Sequence, residues 1–342
     1  MPARRGVQSR TMQAASPWRL CVAPMMDWTD RHCRFFHRRL APHARLYTEM
    51  VHAHAVLRGD RARLLEFHAS EHPVALQLGG SEPHLLAQAA RIGAEWGYDE
   101  INLNVGCPSD RVQAGRFGAC LMREPTRVAD CVAAMRAAVP AAVPVTVKCR
   151  IGVDDQDEDA AFQHFVDTVA ATGCAVFVVH ARKAWLKGLS PKENREVPPL
   201  NPARVARLKR ERPHLTVVLN GGICKAADAL DHLGTFDGVM LGRAAYHEPW
   251  ILAELEHALW RTPLRGRRAV LDDLAPYAHG LVAGGERLHH LTRHLVGLFQ
   301  GECGARAWRR LLSEEGSRPG ADWTVVLRAL AAMATGSGRE AA

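Results

Sequence analysis

Residues 216–243 read TVVLNGGICKAADALDHLGTFDGVMLGR. The stretch opens on an apolar, β-branched run, Thr216–Asn220, which has the length and composition of a buried strand and ends on two glycines. An Ala/Leu-rich segment follows, Lys225–Leu233, with helical composition. A second apolar run, Gly238–Leu241, then ends on Gly242-Arg243. Strand, helix and strand in this order form a βαβ unit, and such a unit calls for a parallel sheet.

Working outward, the same alternation fills the chain towards its start. Apolar runs stand at Leu20–Met25, Leu46–Val51, Val74–Leu78, Glu100–Val105, Val145–Arg150 and Ala175–His180. Several are apolar on both alternating faces, as expected for strands with helices on one side and barrel core on the other. Between them, Ser81-Glu82-Pro83 reads as an N-cap with Pro in the first turn of a helix reaching Glu95, and Gly97 stops it. Thr126–Ala138, Asp159–Ala171 and Pro202–Arg210 read as further helices. Eight such strands, alternating with helices over about 240 residues, predict a (β/α)8 TIM barrel. The rival, an open doubly wound sheet, would normally carry GxGxxG after its first strand. Here that strand runs into Pro24-Met25-Met26.

From about Pro263 the strand signals stop. Val270–Val282, Glu286–Gln300, Ala305–Leu312 and Asp322–Met333 read as helices, and Leu288, Leu291, Leu295 and Leu298 share one face. The predicted organisation is therefore a flexible basic N-terminus (1–16), a barrel (17–262), a smaller C-terminal all-α helical domain (263–335) and a frayed tail (336–342).

Composition narrows the function. The chain is 47% hydrophobic with a formal net charge of +8, so it can fill a large core and suits an anionic partner. Its nine cysteines are odd in number and none makes a CxxC pair, which argues against a zinc ribbon, an iron–sulfur motif or a disulfide scaffold. Cys21, Cys131, Cys149 and Cys174 read as small buried hydrophobes. The eighteen histidines form no HExxH pattern and read as solvated surface, so no metal is expected. There is no apolar signal region in residues 1–16 and no run of about 18 apolar residues, so a cytoplasmic protein without a membrane span is expected.

In a barrel the site lies at the C-terminal ends of the strands. Those ends carry Pro24, Met25 and Met26; Glu49; Gln77; Asn104 through Cys107; Lys148 with Arg150; His180 with Arg182; Asn220, Gly221 and Gly222; and Gly242 with Arg243. The last two groups form glycine-lined neighbouring loops with an arginine, which suits a phosphate. Lys148 ends an apolar strand and needs an anionic partner, either a flavin edge or Glu49. Gln77 can both donate and accept, as a flavin ring edge requires. Cys107 lies in a turn between Gly106 and Pro108, where it can face the site; Cys120 is its nearby rival.

These residues resemble the tRNA-dihydrouridine synthase family. The resemblance runs through Ala23–Asp30, Gln77–Gly80, Ile101–Pro108, Val147–Arg150, Val179–Arg182, Leu219–Gly222 and Met240–Arg243, in order. Arg182–Leu186, Leu189–Arg195 and Gly304–Arg310 are similar to the A-type subfamily, which acts on tRNA uridines 20 and 20a. The resemblance implies an FMN-bearing barrel followed by a helical tRNA-binding domain, with NADPH or NADH as reductant. It implies FMN contacts from Pro24, Met25, Met26, Gln77, Lys148, His180, Asn220, Gly221, Gly222, Gly242 and Arg243, with Cys107 as proton donor. Met26 stands where leucine is common and Cys149 where threonine is common, and neither touches the chemistry. Asn104 and Arg182 are expected to hold the uracil edges. Lys192, Arg195, Arg306, Arg309 and Arg310 are expected to grip tRNA phosphates. A monomer is expected. A flavin barrel acting on a free pyrimidine or enone would not explain the basic helical extension, and an idle RNA-binding barrel would not explain Cys107 with Lys148.

Overall fold

The computed structural model describes residues 16–336. The N-terminus expected to be flexible (1–16) and the expected frayed tail (336–342) lie outside the described residues, apart from Ser16 and Gly336. Eight strands form where the apolar runs predict them: β1 (Leu20–Val22), β2 (Arg45–His52), β3 (Val74–Gly79), β4 (Glu100–Val105), β5 (Val145–Arg150), β6 (Val176–His180), β7 (Thr216–Asn220) and β8 (Gly238–Leu241). Each pairs in parallel with its sequence neighbours and β1 closes on β8, giving a complete barrel. β1 is shorter than its run. Pro24 has no N–H to continue the ladder, and the chain then turns at Met25, whose N–H bonds Thr29 Oγ1 at 2.9 Å.

The predicted barrel helices are present at Pro83–Glu95, Pro125–Ala138, Ala160–Ala170, Pro202–Glu211 and Ala226–His232. Glu82, not Ser81, is the N-cap residue of the first, and its side chain makes no capping bond. The helix Arg31–Leu40 escaped the sequence reading because six of its ten residues are Arg or His. It is nonetheless capped by Asp30, which accepts from Cys33 N at 2.9 Å, and it buries Phe35, Phe36 and Leu40.

Alternation along β4 splits the interior in two. Ile101, Leu103 and Val105 face the helices in one core. Glu100, Asn102 and Asn104 face the barrel interior, where Cys21, Tyr47, Ala75, Val178, Val218 and Met240 form a second, smaller cluster.

Beyond β8 the chain is helical: Arg243–His247, Trp250–Trp260, Arg267–Ala283, His289–Leu295, Ala305–Glu314 and Thr324–Gly336. The helix expected over Glu286–Gln300 is regular only over His289–Leu295, yet Leu288, Leu291, Leu295 and Leu298 are all buried. These helices share one apolar core with β1, β8 and the helix Arg31–Leu40, through Leu20, Phe36, Leu241, Leu274, Leu291 and Trp308. Polar groups close the same contact. Asp30 pairs with Arg293 and His294, and Arg31 pairs with Glu286. Here the histidine expectation is corrected: His32, His37 and His294 are buried, because they lie in this contact rather than on the surface. Burial pushes His32 down to about 4 and His37 to about 3.

Candidate active site

Cys107 sits in the turn after β4, half-buried. Asn104 Oδ1 accepts from the N–H groups of Gly106 (3.1 Å) and Cys107 (3.0 Å), which sets the turn. Cys107 O in turn accepts from Ala119 N at 2.9 Å. A Cβ on Gly118, at φ +75°, would lie 2.6 Å from that carbonyl, so glycine is required where the two backbones meet. Cys120 is the weaker thiol candidate. Its Sγ donates to Phe117 O at 3.1 Å, and burial raises its pKa.

Lys148 and Asn104 are register partners on β5 and β4. Lys148 Nζ donates to Asn220 Oδ1 at 3.0 Å, and Asn220 Nδ2 is held by Met240 O at 2.8 Å. The alternative pair with Glu49 does not form; Glu49 accepts instead from Asp27 N. Burial, reinforced by Arg150, lowers Lys148 to about 8. The Cys107 turn packs against β5 at this point, where a Cβ on Gly106 would lie 3.6 Å from Lys148 O. Burial, then the charges of Arg150, Lys148 and Arg182, push His180 well below its ordinary range, so it is neutral at pH 7.

The glycine loops are built as expected after β7. Gly221 and Gly222 have φ of +103° and +75°. A Cβ on Gly221 would lie 2.5 Å from the His180 ring, and one on Gly222 would lie 2.3 Å from Leu200. Gly242 is roomier, with Met25 Sδ 4.0 Å from its Cβ position, so the ends of β1 and β8 meet there. Pro24 and Met25 are half-buried, and Met26 is exposed at the mouth. Arg243 is ion-paired with Glu196, a carboxylate that no motif had singled out. Gln77 is buried, and both its amide atoms bond asparagines of β4.

The long segment after β6 is anchored rather than loose. Arg182 turns its guanidinium to the carbonyls of Glu196 and Pro198, so it braces this segment instead of pointing a free fork at a base. Arg150, for which the sequence suggested no role, is buried and donates to Gly106 O (3.0 Å), Lys183 O (2.9 Å) and Asn194 O (2.8 Å). It therefore ties the Cys107 turn to the long segment. Beside the long segment opens a cavity of about 650 Å³, lined by Gln113, Arg116, Cys120, Asp154, Trp185 and Lys187 among others. Lys192 and Arg195 lie exposed on the same segment. Arg306 and Arg310 are exposed on the helix Ala305–Glu314, while Arg309 is half-buried and bonds Gln300 at 2.7 Å. Away from the mouth, His32, Glu286 and His290 bring ligand-type atoms within 4.8 Å of one another, but Arg31 already holds Glu286.

Comparison with known proteins agrees with this geometry. The family model described as Dihydrouridine synthase (Dus) matches residues 21–332. The chain belongs to the dihydrouridine synthase family. A tRNA-dihydrouridine(20/20a) synthase of Xanthomonas axonopodis pv. citri is 63% identical over 329 residues, covering 96% of this chain and 98% of that one. A protein of the same name from Vibrio cholerae is 55% identical over 316 residues, covering 92% and 96%. Among solved structures, morphinone reductase superposes with a TM-score of 0.51 at 14% identity, over 70% of this chain and 86% of that one, which shows the shared barrel. Among the described residues of this dihydrouridine synthase, no helix is long and apolar enough to cross a membrane.

Proposed function

We propose that this chain reduces uridine to 5,6-dihydrouridine at positions 20 and 20a of tRNA, in the cytoplasm and as a monomer. The observation that carries the reading is a thiol fixed in a turn by Asn104, the register partner of a half-buried lysine that has no carboxylate partner among the described residues, at the mouth of a barrel that belongs to this family.

The residues present fit FMN. Gly221 and Gly222 hold left-handed backbone packed against His180 and Leu200, and without side chains their N–H groups are bare donors for a phosphate, with Arg243 following β8. Lys148 is poised for an anionic ring edge, and Gln77 keeps one N–H outside its internal bonds. Pro24, Met25, Met26, His180, Asn220 and Gly242 complete the proposed cradle. FMN, when bound, supplies the hydride for uracil C6 and is itself reduced by NADPH or NADH.

The protein's own part is positioning and proton transfer. Cys107 gives its thiol proton to C5 as C6 is reduced, and its turn keeps Sγ at the mouth. Asn104 retains one N–H beyond its bond to Gln77, and that donor suits a uracil carbonyl. The target base must leave its stack to reach the mouth. Lys192, Arg195, Arg306, Arg309 and Arg310 are the basic residues proposed to hold phosphates of the tRNA. The test is NADPH oxidation by the yellow protein. Stimulation by unmodified tRNA but not by free uridine is expected. Equal stimulation by free uridine would transfer the activity to small molecules.

A further inference from the structure

A chain of buried polar side chains runs through the barrel interior from the closed end to the Cys107 turn. It begins at Glu100, which also accepts from Tyr47 Oη (2.8 Å) and Trp18 Nε1 (2.7 Å) and lies 3.3 Å from Arg45. Thr146 Oγ1 donates to Glu100. Asn102 Nδ2 donates to Thr146 Oγ1 at 2.8 Å, and Gln77 Nε2 donates to Asn102 Oδ1 at 2.7 Å. Asn104 Nδ2 donates to Gln77 Oε1 at 2.8 Å, and Asn104 Oδ1 receives the two backbone N–H groups of the Cys107 turn. Glu100, Asn102 and Thr146 are fully buried, and Thr146, Asn102 and Gln77 are register partners on β5, β4 and β3.

The order of donors follows from chemistry at the two ends. Backbone N–H groups can only donate, and an ionised carboxylate can only accept. Every link between must then point its donor towards Glu100, and each one does. A buried amide turned the wrong way would face donor to donor or acceptor to acceptor.

We infer that Thr146 and Asn102 are positioning residues for the protonation step. They carry the acceptor demand of Glu100 through Gln77 to Asn104, and so hold Asn104 Oδ1 on the Cys107 turn. The same polarity leaves Asn104 with an N–H outside the relay, while its Oδ1 is filled by the Gly106 and Cys107 N–H groups. The mouth therefore meets a carbonyl edge such as that of uracil, and disfavours an amino edge such as that of cytosine.

This inference rests on the proposed reduction of uridine only for its kinetic part. The test compares FMN-loaded wild type with Thr146→Val, which removes the hydroxyl at constant shape, and Thr146→Ser, which keeps it. The valine variant should speed amide exchange of the Gly106–Cys107 segment about tenfold while β7 and β8 exchange as before. On tRNA its kcat should fall about tenfold with KM and FMN content unchanged, and the serine variant should restore both readouts. Slow exchange with normal kcat in Thr146→Val, or failure of serine to rescue, overturns the relay. If Thr146→Val does not fold, Asn102→Ala is read by the same two measurements and the same outcomes. A wild type that makes no dihydrouridine refutes the proposed function, whereas the exchange comparison still decides the relay.

Discussion

Replacing Lys148 with Met should stabilise the flavin-free protein and impair the enzyme. Among the described residues the ammonium is held by Asn220 alone, and burial followed by repulsion from Arg150 lowers its pKa from 10.5 to about 8. One pKa unit corresponds to ~1.4 kcal/mol, so holding this charge in the fold costs on the order of 3 kcal/mol. Some access to solvent at the mouth reduces that to ~1–3 kcal/mol. Below about pH 8 both folded and unfolded chains carry the proton, and the penalty is fully present. Between pH 8 and 10.5 the unfolded chain keeps a proton the folded chain has lost, so stability rises with pH through this window. Methionine keeps the apolar stem and removes the charge. Urea unfolding of the flavin-free variant at pH 7 should show a gain of ~1–2 kcal/mol, discounting the lost bond to Asn220. The rise between pH 8 and 10.5 should disappear. FMN affinity or the rate of flavin reduction by NADPH should fall by at least about tenfold, equivalent to ~1.4 kcal/mol. A variant less stable than wild type, or one with normal flavin affinity, spectrum and reduction rate, would refute the argument.

Cys107→Ala should leave FMN bound and NADPH reduction normal while removing most dihydrouridine formation, as measured by nucleoside analysis of treated tRNA. Gly221→Ala should cost ~1–3 kcal/mol from its positive φ, with a further loss from collision with His180. A fluorescence titration should show weakened FMN binding, whereas Gly188→Ala, at φ +82° with open space around it, should show the strain alone. Alanine at both Arg306 and Arg309 should weaken tRNA binding and flatten its salt dependence, because fewer counterions are released. Unchanged affinity and slope over a salt series would place the tRNA elsewhere. Acid should destabilise the fold between about pH 6.5 and 3. His32 and His37 are depressed to about 4 and 3, so the unfolded chain takes up protons first as pH falls, and His32→Asn should flatten the decline in melting temperature.

The strands were legible because each is a compact β-branched run, and periodicity reports burial on two faces directly. The helix Arg31–Leu40 was not. Its charges are buried against partners distant in sequence, as when Arg34 meets Glu71 at 2.7 Å, and a single-sequence pattern cannot see such partners. The same limit explains His294, which reads as one more polar residue but meets Asp30 at 3.0 Å. At the mouth, residue identities were readable and their engagements were not. Arg182 was expected on the base but braces a loop, Arg243 pairs with Glu196, and Gln77 and Asn104 spend most of their bonding on each other. Strand-end position reveals which groups reach the site; the bonds that orient them depend on register between strands.

That orientation gives the mouth its electrostatic character. Lys148, Arg150, Arg182 and Arg195 gather around His180, and Arg182 and Arg195 also face Arg243 and its ion-paired carboxylate, Glu196. Burial, and then their mutual repulsion, lowers the pKa of Arg150 to about 10 and also lowers those of Arg182 and Arg195. His180 stays neutral for the same two reasons. An excess of cations this close together raises the free energy of the folded protein, and only anions that bind it can lower that free energy again. Two anions of the proposed reaction suit the two halves of the cluster. A phosphate suits Arg243 and the glycines of β7, and a reduced flavin edge suits Lys148. A phosphate held by Arg243, as proposed, would have to share the guanidinium's donors with Glu196. On the proposed function, cofactor loading would therefore be coupled through Glu196 to the setting of the long segment after β6.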